Sequence, residues 1–361
     1  MAISDEAWMR RALALAEKGR YSTSPNPMVG AIVVRGDRML AEGWHRRAGG
    51  RHAEIEALAR AGPAARGATL YVTLEPCAHR GRTGPCAEAV VRAGIARVVA
   101  ARRDPNRLVA GKGLRRLRAA GISVICGVLG DLAARQNERF DVWVTRGRPF
   151  VLAKVAASLD GRIADARGRS RWISGPEARK RSLAWREEFD AILVGAETAD
   201  RDGARLTRRL GWNRTTPQRR IVLDGTFRVR ETLPVFRGRG AEVWTASRGG
   251  AAKERRLAAR GVRIVRLPRA GDGVDLAAAL GQLGAEGVTG LIVEGGTRTL
   301  TAFHEAGLVD RWAVVLSPKL LGGADAPPML AGTGAPLSRA KPLKDVAVCA
   351  LGADLLVTGR V

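Results

Sequence analysis

Three of the four histidines and two of the four cysteines fall within 42 residues of this 361-residue chain: His45, His52, Cys77, His79 and Cys86. They sit in and around the strings HAE (52–54) and EPCAHRGRTGPC (75–86). A zinc site that does chemistry takes three protein ligands and leaves a position for water. His52, Cys77 and Cys86 supply one imidazole and two thiolates, a donor set that suits Zn2+. Zinc lowers the pKa of a water toward ~7, so hydroxide becomes available at neutral pH. Glu54 follows His52 by two residues, at the start of a predicted helix. It can reach such a water without ligating the metal, which makes it the candidate proton carrier. Pro85 puts Cys86 at or near a helix N-terminus, where the dipole favours thiolate. A structural zinc would want a fourth ligand, and His79 could serve; Glu54 stands where hydrolytic chemistry needs it.

The second half carries a different constellation. The apolar strand Leu291–Val293 runs into Glu294, Gly295, Gly296 and Thr297, and a helix is predicted from Arg298. Glycines let backbone approach a phosphate, and a helix N-terminus favours its charge. No G-x-G-x-x-G follows the first strand of this half, so a Rossmann dinucleotide unit is not supported. Lys154 stands alone in the strand FVLAKVA (150–156). A buried lysine without a partner is costly, so a carboxylate or a ligand is expected beside it. Lys154 and Glu294 are candidates for polar catalytic help.

The elements that must position these residues alternate. In the first half, helices are predicted at 5–18, 52–61, 86–93 and 114–120, with strands at 29–34, 69–73, 97–101 and 122–126. Arg146-Gly-Arg-Pro149 is a polar break, and it sets the expected domains at 1–146 and 147–361. A second alternating series has strands near 150–156, 190–194, 220–223, 241–245, 262–266, 290–294 and 310–316. Helices are predicted near 176–188, 252–260, 275–283 and 298–306. Repeated strand–helix units imply layered α/β sheets in both halves.

Composition narrows the function classes. Lys plus Arg is 61 against 35 Asp plus Glu, a net charge of +26, and 53 of the 61 are arginine. Such a balance suggests nucleic acid first. The arginines are spread along the whole chain, and aromatics are only 4%, too few for single-strand stacking platforms. No apolar run is long enough to span a bilayer. The N-terminus lacks the pattern of a secretion signal, and four cysteines are no disulfide framework, so a cytoplasmic protein is expected. Cys126 and Cys349 are expected to be buried small hydrophobes.

The first-half motifs depart from the Cys-x2-Cys spacing of the general zinc-deaminase signature. HAE, then PC, then a second Cys beyond AHRGRTGP, together with PNPMVG (25–30), Gly43-Trp-His45 and DPNRLVAGKG (104–113), resembles the deaminase half of the bifunctional riboflavin-biosynthesis deaminase/reductase family. KVAASLDGR (154–162), SRWIS (170–174) and EGGT (294–297) resemble its reductase half. The resemblance implies a cytidine-deaminase-like three-layer domain followed by a dihydrofolate-reductase-like domain. It implies Zn2+ and NADPH as cofactors and a phosphorylated pyrimidine ribosylamine as substrate. By the same resemblance Asn26, His45, His79 and Arg82 contact the deaminase substrate. Ala156, Trp172, Thr198, Asp202, Gly295, Gly296 and Thr297 line the NADPH site. Ser170, Arg186, Leu206, Arg209 and Glu294 line the reductase substrate site. The implied reaction is hydrolytic loss of the 2-amino group, then reduction of ribosyl to ribityl. A homo-dimer or tetramer is implied too, with no membrane or nucleic-acid partner.

Alternatives stay open at this level. Trp172 could be a core aromatic, Arg186 could lie on a solvated helix face, and the four deaminase contacts could be ordinary loop residues. The family pattern Asp-Asp-Pro or Asp-Asn-Pro reads Asp202-Gly-Ala204 here, which puts the cofactor loop in doubt. Two other functions are conceivable: a deaminase of nucleic acid or free nucleobase with a binding domain, and a scaffold whose reductase half has decayed.

Overall fold

The computed structural model describes residues 3–78, 84–107, 109–212 and 217–361. His79 and Arg82 lie outside the described residues. The chain divides into two compact units, Met1–Gly147 and Arg148–Val361.

The first unit runs α1 (Asp5–Glu17), β1 (Gly30–Arg35), β2 (Arg38–Trp44), α2 (Ala53–Ala61), β3 (Thr69–Val72), α3 (Cys86–Arg92), β4 (Arg97–Ala100), α4 (Lys112–Ala119), β5 (Ser123–Cys126), α5 (Gly130–Gln136) and α6 (Glu138–Arg146). Its sheet has the order β2-β1-β3-β4-β5. β1 is antiparallel to β2 and β3, and β3, β4 and β5 are parallel. Strand residues alternate between two covered faces. Ala31, Val33, Leu70, Val72 and Val98 pack with Ala53, Ala57, Val90 and Leu114 from helices on one side. Ile32, Val34, Tyr71 and Val99 pack against Trp8, Met9 and Ala12 of α1 on the other. This is the three-layer arrangement the alternation implies. The Ser4 hydroxyl caps α1 by accepting from Ala7 N–H, with Asp5 and Glu6 in the first turn.

The second unit continues with β6 (Phe150–Ser158), α7 (Pro176–Glu188), β7 (Ala191–Gly195), α8 (Ala196–Arg201), β8 (Arg219–Leu223), β9 (Ala241–Thr245), α9 (Ala251–Ala259) and β10 (Arg263–Arg266). After the short hairpin β11 (Arg269–Ala270) and β12 (Gly273–Val274) come α10 (Leu276–Ala285), β13 (Gly290–Val293), α11 (Thr297–Glu305), β14 (Arg311–Ser317), β15 (Lys344–Leu351) and β16 (Asp354–Arg360). The main sheet is nine-stranded, β10-β9-β8-β7-β13-β6-β14-β16-β15. The first seven strands in that order are parallel, and β16 and β15 are antiparallel additions. The C-terminal ends of β6, β7, β8 and β13 therefore open on one edge, where ligands bind in open parallel sheets.

The expected elements are found, with shifts of a few residues at their ends. β2, α5, α6, α8 and the β15–β16 hairpin are additions that the apolar pattern does not announce. One expectation is corrected: Cys349 is exposed on β15, because that strand is the uncovered edge of the sheet. Cys126 is half-buried against the first core.

Candidate active sites

His52 is the N-cap residue of α2, and its backbone is extended there. Pro85 is the N-cap of α3, so Cys86 is the first residue of that helix, as the motif implies. Cys77 lies in the loop that follows β3. The three elements bring the ligand atoms of His52, Cys77 and Cys86 within 4.8 Å of one another. His52 Nδ1 lies 3.1 Å from Cys86 Sγ and 3.6 Å from Cys77 Sγ. Glu54, in the first turn of α2, is buried beside them.

The electrostatics follow from this crowding. Hydrogen bonds from the Cys86 thiol, His52 and the Cys86 N–H pull Cys77 down to about 4, against burial. The Cys77 thiolate and burial push Cys86 up in turn. Burial lifts the Glu54 carboxyl to about 7, although His52 pulls the other way.

Asn26 and His45 meet at this site. His45 Nδ1 lies 3.0 Å from Arg51 O, which fixes the proton on Nδ1. His45 Nε2 then accepts from Asn26 Nδ2 at 3.1 Å. Burial holds His45 below its ordinary pKa, so the ring is neutral. Gly43 makes this corner possible: a Cβ there would lie 2.6 Å from Ala53 O and Ala57 N in α2.

In the second unit, one cleft of about 1890 Å3 takes in every candidate residue of that half. Lys154, Ala156, Ser170, Trp172, Arg186 and Thr198 line it, and so do Asp202, Leu206, Arg209 and Glu294–Thr297. Arg186 is not on a solvated face. Its guanidinium grips Glu294 in a fork, Nε to Oε1 at 3.0 Å and Nη2 to Oε2 at 2.6 Å. The side chains are 15% and 10% exposed. Burial works to raise Glu294, but Arg186, then Lys154 and Arg209, hold it below the ordinary carboxylate range. Burial lowers Lys154 below the ordinary lysine range, and Glu294 opposes this. The carboxylate expected beside Lys154 is thus Glu294. Trp172 is 63% exposed, so it is a wall of the cleft and not a core aromatic. Ser170 Oγ donates to Asp202 Oδ1 at 3.0 Å, joining two candidate positions.

Comparison with known proteins decides between the open readings. Residues 149–357 match the model for the RibD C-terminal domain. Residues 2–102 match the cytidine and deoxycytidylate deaminase zinc-binding region. The riboflavin biosynthesis protein RibD of Aquifex aeolicus is 42% identical over 318 residues, covering 88% of each chain. That of Escherichia coli is 41% identical over 333 residues, covering 89% of each. The chain belongs to the RibD family.

Solved structures agree. Acinetobacter baumannii RibD, form 1, superposes with a TM-score of 0.89 at 38% identity, covering 99% of this chain and 98% of that one. A Thermotoga maritima diaminohydroxyphosphoribosylaminopyrimidine deaminase/5-amino-6-(5-phosphoribosylamino)uracil reductase gives 0.84 at 35%, with the same coverage. The match of residues 149–357 to a RibD C-terminal domain does not favour the reading with a nucleic-acid-binding module.

RibD chemistry calls for zinc and NADPH, and both sites suit them. Zn–N and Zn–S bonds of about 2.1 and 2.3 Å at a tetrahedral angle put N and S about 3.6 Å apart. The observed 3.1 and 3.6 Å match a trio that closes on one ion. For the nucleotide, α11 begins at the cleft with Gly296 as N-cap and no side chain capping it. A Cβ on Gly295 would lie 2.5 Å from Thr299, so only glycine permits that approach. Gly203, at the departure from the RibD loop pattern, adopts a left-handed φ of +53°. Asp and Asn are the side chains that best tolerate that region after glycine. A left-handed backbone at this position is thus compatible with the family's Asp or Asn as well as with Gly203.

Two positioning acids escaped the sequence reading. The buried Glu75 carboxylate accepts from the backbone N–H of Asp104, Gly111, Gly113 and Leu114. Gly113 packs so closely that a Cβ would lie 1.8 Å from Pro76 O, next to the Cys77 ligand. Buried Glu187 accepts from the N–H of Arg209, Leu210 and Gly211. It fixes the Arg209 segment to the helix that carries Arg186. The signal for Glu75 was the acid inside EPC; Glu187 had none beyond being the neighbour of Arg186.

Proposed function

We propose that this chain performs two successive steps of riboflavin biosynthesis on one phosphorylated substrate. The first unit hydrolytically removes the 2-amino group of 2,5-diamino-6-(5-phosphoribosylamino)pyrimidin-4-one, releasing ammonia. The second reduces the ribosyl side chain to ribityl, giving 5-amino-6-(5-phosphoribitylamino)uracil. The observation that carries the reading is the His52–Cys77–Cys86 trio with buried Glu54 beside it.

Bound zinc would supply Lewis-acid activation of water at neutral pH. Glu54 takes a proton from the attacking water on its carboxylate and returns it to the departing amine. Neutral His45 engages Asn26 Nδ2, which leaves Asn26 Oδ1 to accept from a substrate N–H. Arg82 suits the substrate phosphate by its charge. In the cleft, bound NADPH would supply hydride for C1 of the opened ribosyl group. Lys154 Nζ donates a proton to the ring oxygen as the sugar opens. Glu294, pinned by Arg186, accepts from ribose hydroxyls, and Arg209 with Ser170 completes that wall. Trp172, Thr198, Asp202, the Gly295–Thr297 turn and Ala156, which line the cleft, would hold the cofactor.

A homo-oligomer is part of the proposal. Every residue of β15 up to Ala350 is exposed, with Val346 at 55% and Val348 at 60%. An open edge of this kind is usually paired or covered, and a second copy of the chain is the occupant inferred here. Val346→Lys/Val348→Lys should shift the mass seen by light scattering to that of the 38.5 kDa monomer; an unchanged mass removes β15 from the interface. None of the four cysteines is in a disulfide, which suits a reducing cytoplasm. No helix among the described residues is long and apolar enough to cross a membrane.

The test is direct. Purified protein with the diaminopyrimidine ribosylamine phosphate should release ammonia and then oxidise NADPH. No ammonia from zinc-replete protein would refute the deaminase step. Ammonia without NADPH loss would refute the reductase step and favour the scaffold alternative.

A further inference from the structure

Residues 170–174 line the cleft, yet they are neither helix nor strand. A wall without ladder bonds is only as fixed as the groups that reach its backbone. Within the segment, Ile173 N–H donates to Ser170 O at 3.1 Å. At its far end Ser174 O accepts from Arg179 Nη1 at 2.8 Å, and Gly175 N–H donates to the buried Asp354 carboxylate at 2.6 Å. At Trp172 itself the holder is Lys319. Its Nζ donates to Trp172 O at 2.7 Å and to Ile173 O at 2.8 Å. Two carbonyls of adjacent residues thus converge on one ammonium, which has three donors to give. The Arg179 guanidinium stacks on the Trp172 ring, 4.6 Å from its centre.

Lys319 lies 147 residues further on, just past β14, and its own place is fixed. Lys319 O accepts from Leu159 N–H at 2.8 Å, and Lys319 N–H donates to Ser317 O at 2.7 Å. The residues after it are tied down by Asp160. Oδ1 accepts from Leu321 N–H at 3.1 Å, and Oδ2 accepts from Gly322 N–H at 2.7 Å. Ser158 Oγ donates to Oδ1 as well, at 2.5 Å. The Ser158 hydroxyl and these two N–H groups hold the Asp160 carboxyl down to about 2, so it is charged at neutral pH.

Leu159 and Asp160 follow directly on β6, the strand of Lys154 and Ala156. A continuous chain of bonds therefore runs from the end of β6 through Lys319 to the backbone of Trp172. Neither Lys319 nor Asp160 lines the cleft. What they set is where the Trp172 wall stands relative to the strand that bears Lys154.

We propose that Lys319 is a positioning residue of the reductase: by clamping the Trp172 and Ile173 carbonyls it holds the Trp172 wall in place for the nucleotide. This rests on the reading of Trp172 as part of the NADPH site, and the test separates the two. Calorimetric titration of the full, zinc-loaded chain with NADP+ compares wild type, Lys319→Met, Lys319→Arg, Trp172→Ala and Lys319→Met/Trp172→Ala. Trp172→Ala should weaken binding by about tenfold or more. Lys319→Met should weaken it by about three- to tenfold, the cost of ordering one wall side chain at binding. Lys319→Arg, whose fork can reach both carbonyls, should bind within about twofold of wild type. In the Trp172→Ala background Lys319→Met should change affinity by less than about twofold, because the clamp has nothing left to place. Asp160→Asn weakens the tie on the Lys319 loop and leaves Lys319 intact. Its loss should be smaller than that of Lys319→Met and should vanish in the same background. Unchanged affinity in Lys319→Met overturns the proposal. So does a loss, from either Lys319→Met or Asp160→Asn, that persists undiminished without Trp172, as a direct contact or a general loosening of the unit would give. Should Lys319→Met fail to fold, Asp160→Asn and Lys319→Arg decide by the same comparison. If wild type does not bind NADP+, or Trp172→Ala binds it as wild type does, the NADPH reading of this wall fails and the inference goes with it.

Discussion

Removing Glu294 alone should damage the reductase unit more than removing the whole Arg186–Glu294 pair. Glu294→Gln leaves Arg186 and Lys154 as two buried cations without their shared carboxylate. Breaking a buried, well-formed pair by deleting one partner costs about 3–5 kcal/mol. The unit, Arg148–Val361, is of a size at which 1 kcal/mol moves Tm by about 2–4 °C. The calorimetric transition of this unit should therefore fall by about 6–20 °C. That transition is recognised by its rise on adding NADP+. In Arg186→Met/Glu294→Leu, which removes one of the two stranded cations and leaves Lys154, part of the loss should be regained. Ammonia release serves as the internal control and should not change in either variant. A Glu294→Gln shift below about 2 °C, or a double variant that loses the sum of the two single losses, would refute the coupling argued from the 2.6 and 3.0 Å fork.

Two further predictions follow from other sites. Glu54→Gln should keep zinc, measured by metal analysis, yet lose ammonia release by at least about a hundredfold; surviving activity removes Glu54 from its role. Arg263, then Gln282 and Arg219, hydrogen-bond to Glu286 and hold it down from 4.5 to about 2. Its folded pKa lies below its unfolded one, so the stability it contributes is present above pH 4.5 and lost as pH falls toward 2. The stability gap between wild type and Glu286→Gln should be constant near neutrality and close across that window. A gap that stays open to about pH 2 would disprove the linkage.

What the sequence reveals depends on how far apart the cooperating residues lie. The candidate zinc trio is written as a local string, because two of its members and the proposed proton carrier sit at helix starts that short motifs announce. Lys154 predicts its own partner, since a lone lysine in an apolar strand demands one. That the partner is Glu294, and that Arg186 grips it from 108 residues away, needs the sheet order that sets β6 beside β13. Glu75 is hidden for the same reason: its donors lie 29 to 39 residues downstream. β15 defeats the pattern differently. Exposed on both faces, KDVAVCAL has no buried side to set a clear alternation, and Cys349 follows it into the open. His79 and Arg82 were legible as candidates and fall outside the described residues.

The support of the first site bears on how small a working deaminase piece can be. The matched zinc-binding region stops at residue 102. Yet Glu75 is held by Asp104 through Leu114, and Asn137 pairs with both backbone groups of Met28, two residues from Asn26. A fragment cut at 102 would keep the three candidate ligands and the proposed proton carrier while losing the scaffolding that aims them. The deaminase unit is thus longer than its signature and reaches at least to Asn137, at the start of α6.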